Sequence, residues 1–177
     1  MNLCLSPFFV VLVPLLQLII QTSYHTHLYW IAKALTLGQK AGEMGEVPVG
    51  AIIVDSQGNL IAQTANRKET DQDPTAHAEI MAIRIAAKTL HTWNLKDCTL
   101  YVTLEPCPMC TGAIIQSRLG LLVYGCDDPK SGTIRTVLNL PDSYCSNHRL
   151  AVISGIYENE CRQQLQKWFA ERRQQVE

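Results

Sequence analysis

The chain has 177 residues, of which 47% are hydrophobic and 18% charged, with a formal net charge of −1. That length suits one domain with a real core, and the near-neutral balance excludes both a disordered chain and a broadly basic nucleic-acid binder. Its seven cysteines, an odd number, lie partly in apolar runs and read as small buried hydrophobes of a reducing compartment, not as a disulfide scaffold.

Residues 1–23 carry no charged side chain, and residues 8–20 are apolar apart from Pro14 and Gln17. This leader barely reaches the roughly 18 to 20 apolar residues that span a bilayer. It also lacks the basic start and small-residue cleavage site of a signal peptide. A start assigned too far upstream is the leading reading, a membrane anchor and an apolar docking segment are the others, and membrane contact through 1–23 is disfavoured.

A domain over residues 24–177 then opens with a helix from His25, placing Leu28, Ile31, Ala32 and Leu35 on one stripe and ending at Gly42 and Gly45. Residues 50–54 and 60–62 read as strands around a hairpin-like turn at 56–59. Asp73 or Thr75 can cap the next helix, which runs to about Leu90 and is apolar on most sides through Ile80, Met81, Ile83 and Ile85, the pattern of a buried helix. A strand over 99–104, a helix over 107–118 and a strand over 121–124 follow. After an irregular stretch, a last strand at 150–153 leads to a final helix that turns Cys161, Leu165, Trp168 and Phe169 inward. Strand and helix alternate, which predicts an α/β fold with parallel pairing.

Two segments carry chemistry: His77-Ala78-Glu79 and Glu105-Pro106-Cys107-Pro108-Met109-Cys110. His77, Cys107 and Cys110 make three zinc ligands, so a fourth position stays open for water, as catalytic zinc requires. Zinc lowers the pKa of its water from about 15.7 to about 7, and Glu79, two residues from a ligand, is placed to carry the proton. The ligands fall in the first turns of two helices whose dipoles would each favour the site's anions by about 0.3 to 1 kcal/mol. His-x-Glu followed by Pro-Cys-x-x-Cys is a known signature of zinc nucleobase deaminases, recognised as such and not deduced from the spacing. A redox Cys-x-x-Cys pair would not call for the His-x-Glu segment. A structural zinc site would need a fourth ligand from Cys98, Cys126 or Cys145, none of which makes a second paired spacing. Glu105 reads as a charge at a helix N-terminus.

Residues 25–173 as a whole resemble the bacterial tRNA-specific adenosine deaminase family of the cytidine deaminase-like superfamily. The match extends through residues 45–51, 73–82 and 100–107, Ser117-Arg118, Asn147-His148-Arg149 and Arg172-Arg173-Gln174. The resemblance implies a three-layer α/β/α fold with a central mixed, mostly parallel five-stranded sheet. It implies hydrolysis of adenosine to inosine at the wobble position of an arginine tRNA anticodon, by a cytoplasmic homodimer with one zinc per subunit. His77, Cys107 and Cys110 would then hold the metal. Glu79 would be the catalytic group that moves protons to the purine ring and the departing amine as hydroxide attacks carbon 6. Asn66 and Ala78 would bind the base, and Asp128, Lys130, Arg149, Arg172 and Arg173 would contact RNA. Read from its own surroundings, Asn66 is a turn residue closing a strand, and the terminal arginines decorate an exposed helix. Anticodon-loop bases suit such a site because they can be splayed out without opening a duplex. A deaminase of free guanine or cytosine would share the metal site. A noncatalytic RNA- or partner-binding subunit would be expected to lose the glutamate, and Glu79 is present.

Overall fold

The computed structural model describes the backbone of residues 7–174 and the side chains of residues 23–174. All but the last residue of the apolar leader expected over 1–23 therefore lies outside the described side chains. The elements run α1 (Pro7–Glu43), β1 (Gly50–Asp55), β2 (Leu60–Ala65), α2 (Lys68–Asp71), α3 (Ala78–Thr89), β3 (Cys98–Leu104), α4 (Pro108–Gln116), β4 (Leu121–Cys126), β5 (Ala151–Ile153) and α5 (Glu158–Gln174). Among the described residues no helix is long and apolar enough to cross a membrane.

β1 is an unbroken apolar run, Ala51 to Val54, and all four residues are buried, as a central strand covered on both faces requires. The turn to β2 is closed by Asp55, whose carboxylate accepts the N–H groups of Gln57 and Asn59, and by Gly58 at φ +82°. The five strands order as β2-β1-β3-β4-β5, with helices on both sides of the sheet. β1 pairs antiparallel with both β2 and β3, while β3–β4 and β4–β5 are parallel. The sheet is therefore mixed, but it is not mostly parallel as expected. The reason lies in the hairpin: β1 folds back against β2, and the chain then crosses through α3 to lay β3 on the other edge of β1. Strands β2 to β5 all run one way, yet two of the four neighbour pairs include β1.

Helix faces differ from those expected for a similar reason. α1 buries Trp30, Ile31, Ala34 and Gly38, whereas Ala32 is exposed. A Cβ on Gly50 would stand 2.0 Å from the Ala34 carbonyl oxygen, so helix and strand meet backbone to backbone at small residues. α3 likewise turns Ala78, Ala82 and Ala86 to the core, leaving Ile80, Met81 and Ile83 half-buried and Ile85 38% exposed. It is not the fully buried helix that its isoleucines suggested. On α5, Cys161 and Leu165 are buried and Trp168 is half-buried, its indole N–H donating to the Gly42 carbonyl. Phe169 lies one position round the helix and is 43% exposed, not inward. Ile52, Ile53, Leu100 and Leu122 are fully enclosed in the core, each burial worth roughly 1.5 to 3 kcal/mol.

The common direction of β2, β3 and β4 has one functional consequence. Their C-terminal ends lie at one edge of the sheet, beside the N-terminal end of the opposed β1. Segments leaving those ends carry Asn66, Glu105 and Asp128, and the segment entering β1 carries Glu46. Ligand crevices of open α/β sheets form at such strand ends.

Candidate active site

His77 is the N-cap residue of α3 (φ −74°, ψ 150°) and Cys107 that of α4 (φ −73°, ψ 173°), and neither side chain caps its own helix. Asp73 and Thr75, the expected caps, are occupied with each other, Asp73 accepting the N–H and O–H of Thr75. Ser, Thr, Asp or Asn usually fills an N-cap; here both side chains turn toward one another instead. His77 Nδ1 lies 3.7 Å from Cys107 Sγ and 3.6 Å from Cys110 Sγ, and the three donor atoms fall within 4.8 Å of one another. Tetrahedral ligation with usual zinc distances would separate nitrogen and sulfur by about 3.6 Å. Among the described residues no fourth ligating side chain joins the group, so Cys98, Cys126 and Cys145 stay outside it and Glu79 is not part of it.

Ionisation points the same way. A hydrogen bond with Cys110, reinforced by His77, brings the Cys107 thiol down to about 4 against the opposing effect of burial. Cys110, which donates to Cys107 and is buried near Glu79, is pushed up. Glu79 is 4% exposed, and burial raises its carboxyl above the usual range. Two thiolates beside a carboxylate require a cation, so the donor set fits a divalent metal that favours sulfur and imidazole.

Above this floor lies a cavity of about 280 Å³, lined by His77, Glu79 and Cys107 together with Asn66, Leu104 and Asp128. Asn66 is nearly buried. Its Oδ1 accepts the Ala78 N–H at 2.9 Å and its Nδ2 donates to the Val47 carbonyl at 3.1 Å. Asn66 is thus a fastener between three segments as well as a wall of the cavity, and these two bonds do not exhaust its donors and acceptors. Ala78 commits its N–H to Asn66 and its carbonyl to the Thr64 hydroxyl. Any base contact there would share an N–H that already holds Asn66.

Two buried carboxylates hold the rims. Glu46 accepts the N–H groups of Glu69 and Thr70 and the Thr70 hydroxyl, pulling α2 over the cavity, which Lys68 and Glu69 also line. Burial opposes its charge, but the bonds from Thr70 and Glu69 prevail and hold its carboxyl below the ordinary range. Glu105 accepts backbone N–H groups of Asp128, Ile134, Arg135 and Thr136 and the Thr136 hydroxyl. It is far more than a charge at a helix end. Neither role could be read from the sequence, because backbone N–H partners leave no residue-type signal; Lys68 and Trp168 also stand at the cavity wall, of which only Trp168 was expected to turn inward.

The expected RNA contacts separate into two groups. Lys130 and Arg173 line a second cavity of about 570 Å³ that shares Val47, Leu104, Asp128 and Ser131 with the first. Arg172 stacks over Trp168, 4.7 Å from its ring centroid, and Trp168 lines the first cavity. Arg149 instead borders a recess with Pro141 and Tyr144 that shares no residue with either. Asp128 shapes its own loop, its carboxylate accepting the Lys130 N–H and the Ser131 hydroxyl.

The mixed five-stranded sheet and the His-Cys-Cys floor place the molecule among cytidine deaminase-like proteins. A family model described as MafB19-like deaminase matches residues 25–170. The chain is 47% identical over 142 residues to a tRNA-specific adenosine deaminase of Haemophilus influenzae, covering 80% of this chain and 82% of the relative. It is 46% identical to a protein of the same name from Bacillus subtilis, covering 81% of this chain and 89% of the relative. A solved structure from a study of A-to-I editing by tRNA:A34 deaminases at the wobble position superposes with a TM-score of 0.75 at 40% identity, covering 77% of this chain and 99% of that one. The chain belongs to the bacterial tRNA-specific adenosine deaminase family.

Proposed function

We propose that the protein hydrolyses adenosine to inosine and ammonia at the wobble position of a tRNA anticodon, with arginine tRNA as substrate. The observation that carries this reading is the cavity of about 280 Å³ lined by His77, Cys107 and the buried carboxyl of Glu79, with Cys110 completing the donor group behind them. It lies at the small end of ligand sites, which usually begin near about 300 Å³, and suits one base with its sugar and flanking nucleotides left outside.

Zinc is the metal assigned to His77, Cys107 and Cys110, one per subunit of a cytoplasmic homodimer, and when bound it supplies a Lewis-acidic centre that brings the pKa of a water to about 7. Glu79 takes a proton from the attacking water and gives it to a ring nitrogen of the purine, then takes the second proton from the new carbon-6 hydroxyl and passes it to the departing amine, which leaves as ammonia. Its burial favours this exchange, because a carboxyl held above the usual carboxylate range is a stronger base toward the attacking water. Asn66 presents the uncommitted part of its amide to the base, and the closed packing of Ala78 against it keeps that amide in place. Lys130, Arg172 and Arg173 meet the RNA backbone beside the cavity, with Asp128 on the rim that both cavities share and Arg149 as the outlying contact. Binding through phosphates should weaken as salt is added.

The test is to incubate the purified, metal-loaded protein with an arginine tRNA anticodon stem-loop and, separately, with free guanine and cytosine. Inosine formed in the stem-loop is the expected result. Turnover of a free base without any stem-loop product would replace this reading with that of a free-base deaminase.

A further inference from the structure

We propose that Glu105 is a positioning residue that latches the loop between β4 and β5 against the metal-bearing end of the scaffold, and so sets substrate affinity rather than the chemical step. The affinity part rests on the functional reading above; the latch itself does not. Glu105 stands between Leu104, the last residue of β3, and Cys107, the N-cap of α4, so its backbone is fixed by both elements. Its side chain is 1% exposed and, among the described residues, makes no ion pair with a lysine or arginine. Four backbone N–H groups and one hydroxyl meet the charge instead. Oε1 accepts from Ile134 at 3.0 Å, Arg135 at 2.9 Å and Thr136 at 3.1 Å; Oε2 accepts from Asp128 at 3.1 Å and from the Thr136 hydroxyl. Three successive N–H groups converging on one oxygen form an anion-binding concavity made by the loop itself.

Gly132 gives a second, independent observation. A Cβ there would lie 2.1 Å from Glu105 Oε2 and 2.7 Å from the Asp128 carbonyl oxygen. No side chain fits, because the carboxylate already fills the space. The loop is fastened once more beside the latch, where Thr133 donates its N–H and hydroxyl to the Pro106 carbonyl.

The latched segment carries the far rim of both cavities. Asp128 and Ser131 line the first, and Pro129 and Lys130 line the second. Charge-assisted bonds of this kind are about twice as strong as neutral ones. A glutamine at position 105 would keep one acceptor oxygen but turn an NH₂ group toward N–H donors. The rim should then loosen while His77, Cys107, Cys110 and Glu79, held by the helix N-termini, stay in place.

The experiment uses the full chain with metal bound and the variants Glu105→Gln, Gly132→Ala and Thr136→Val. Amide hydrogen exchange without RNA is expected to accelerate by at least about tenfold at Asp128 and at 134–136 in the first two variants. Thr136→Val should show a smaller rise, and β3 and β4 should keep wild-type protection in all three. On the anticodon stem-loop KM should rise about tenfold, with kcat within about twofold and bound metal unchanged. Unchanged exchange at these amides would overturn the latch, as would exchange rising equally through β3 and β4. Loss of metal or a fall in kcat at constant KM would overturn it too, by showing that Glu105 acts on Cys107. If the wild-type protein makes no inosine, the functional reading and the affinity claim fail, and the exchange data alone decide the latch.

Discussion

The floor of the cavity is set by two helix N-termini, whereas its rims hang from two buried carboxylates, and the two constructions tolerate different changes. On the floor, His77 and Cys107 take their positions from extended N-cap backbone that each helix start already demands. On the rims, α2 and the loop after β4 are held by Glu46 and Glu105 through backbone N–H groups. A floor built this way fixes reactive atoms on rigid elements, and rims built this way can be retuned without moving them. The proposed reading therefore assigns chemistry and substrate affinity to separable parts of one small site.

The largest effect expected of any single change lies on the floor. Glu79→Gln should lower inosine formation in the stem-loop by about 10²- to 10⁴-fold, with bound metal unchanged. If metal is lost as well, the carboxylate belongs to the ligand set and the floor has been misassigned.

A smaller effect is expected at the near rim. Glu46→Gln should destabilise the fold by about 1 to 3 kcal/mol near pH 7, read from the urea midpoint, and leave bound metal intact. The folded state holds this carboxyl below its ordinary value of 4.5, so the folded protein binds the proton less readily than the unfolded chain. Its contribution is complete above that value and fades as pH falls through the lower folded value. The gap between wild type and variant should accordingly close in acid; a gap that widens there would contradict the assignment.

The smallest effect should come from a charge pair on the same rim that faces solvent. Arg67 and Asp71 approach to 2.6 Å but both are well exposed, so Arg67→Ala should leave the urea midpoint almost unchanged. A cost equal to that of Glu46→Gln would mean that α2 is held by its own ion pair and not from below.

The two parts also differed in how plainly they could be read from the residues. His77, Glu79, Cys107 and Cys110 stand out because metal ligation demands rare side chains at tight spacing, and helix starts bring them together as expected. Most elements emerge near their expected bounds because periodicity and glycines mark them, but α1 begins at Pro7 and not at His25, and α2 had no expected counterpart. Glu46 and Glu105 were opaque because their partners lie 23 to 31 residues away and, one threonine hydroxyl each apart, are backbone groups that every residue but proline possesses. The helix faces were misjudged only in part: Ile31 is buried and Leu28 and Leu35 pack against the core as expected, but Ala32 is exposed, and close packing on β1 and β2 selects Ala34, Gly38, Ala82 and Ala86 over the isoleucines of α3. Pairing went astray at β1 alone, since alternation fixes strand direction and not which strand lies between two others.

X-ray absorption at the zinc edge of the natively purified protein probes the floor most directly. The account predicts one zinc per chain, bound by two sulfurs, one imidazole nitrogen and one light ligand that no side chain supplies. Absence of zinc, or a shell completed by a fourth side-chain donor, would contradict it.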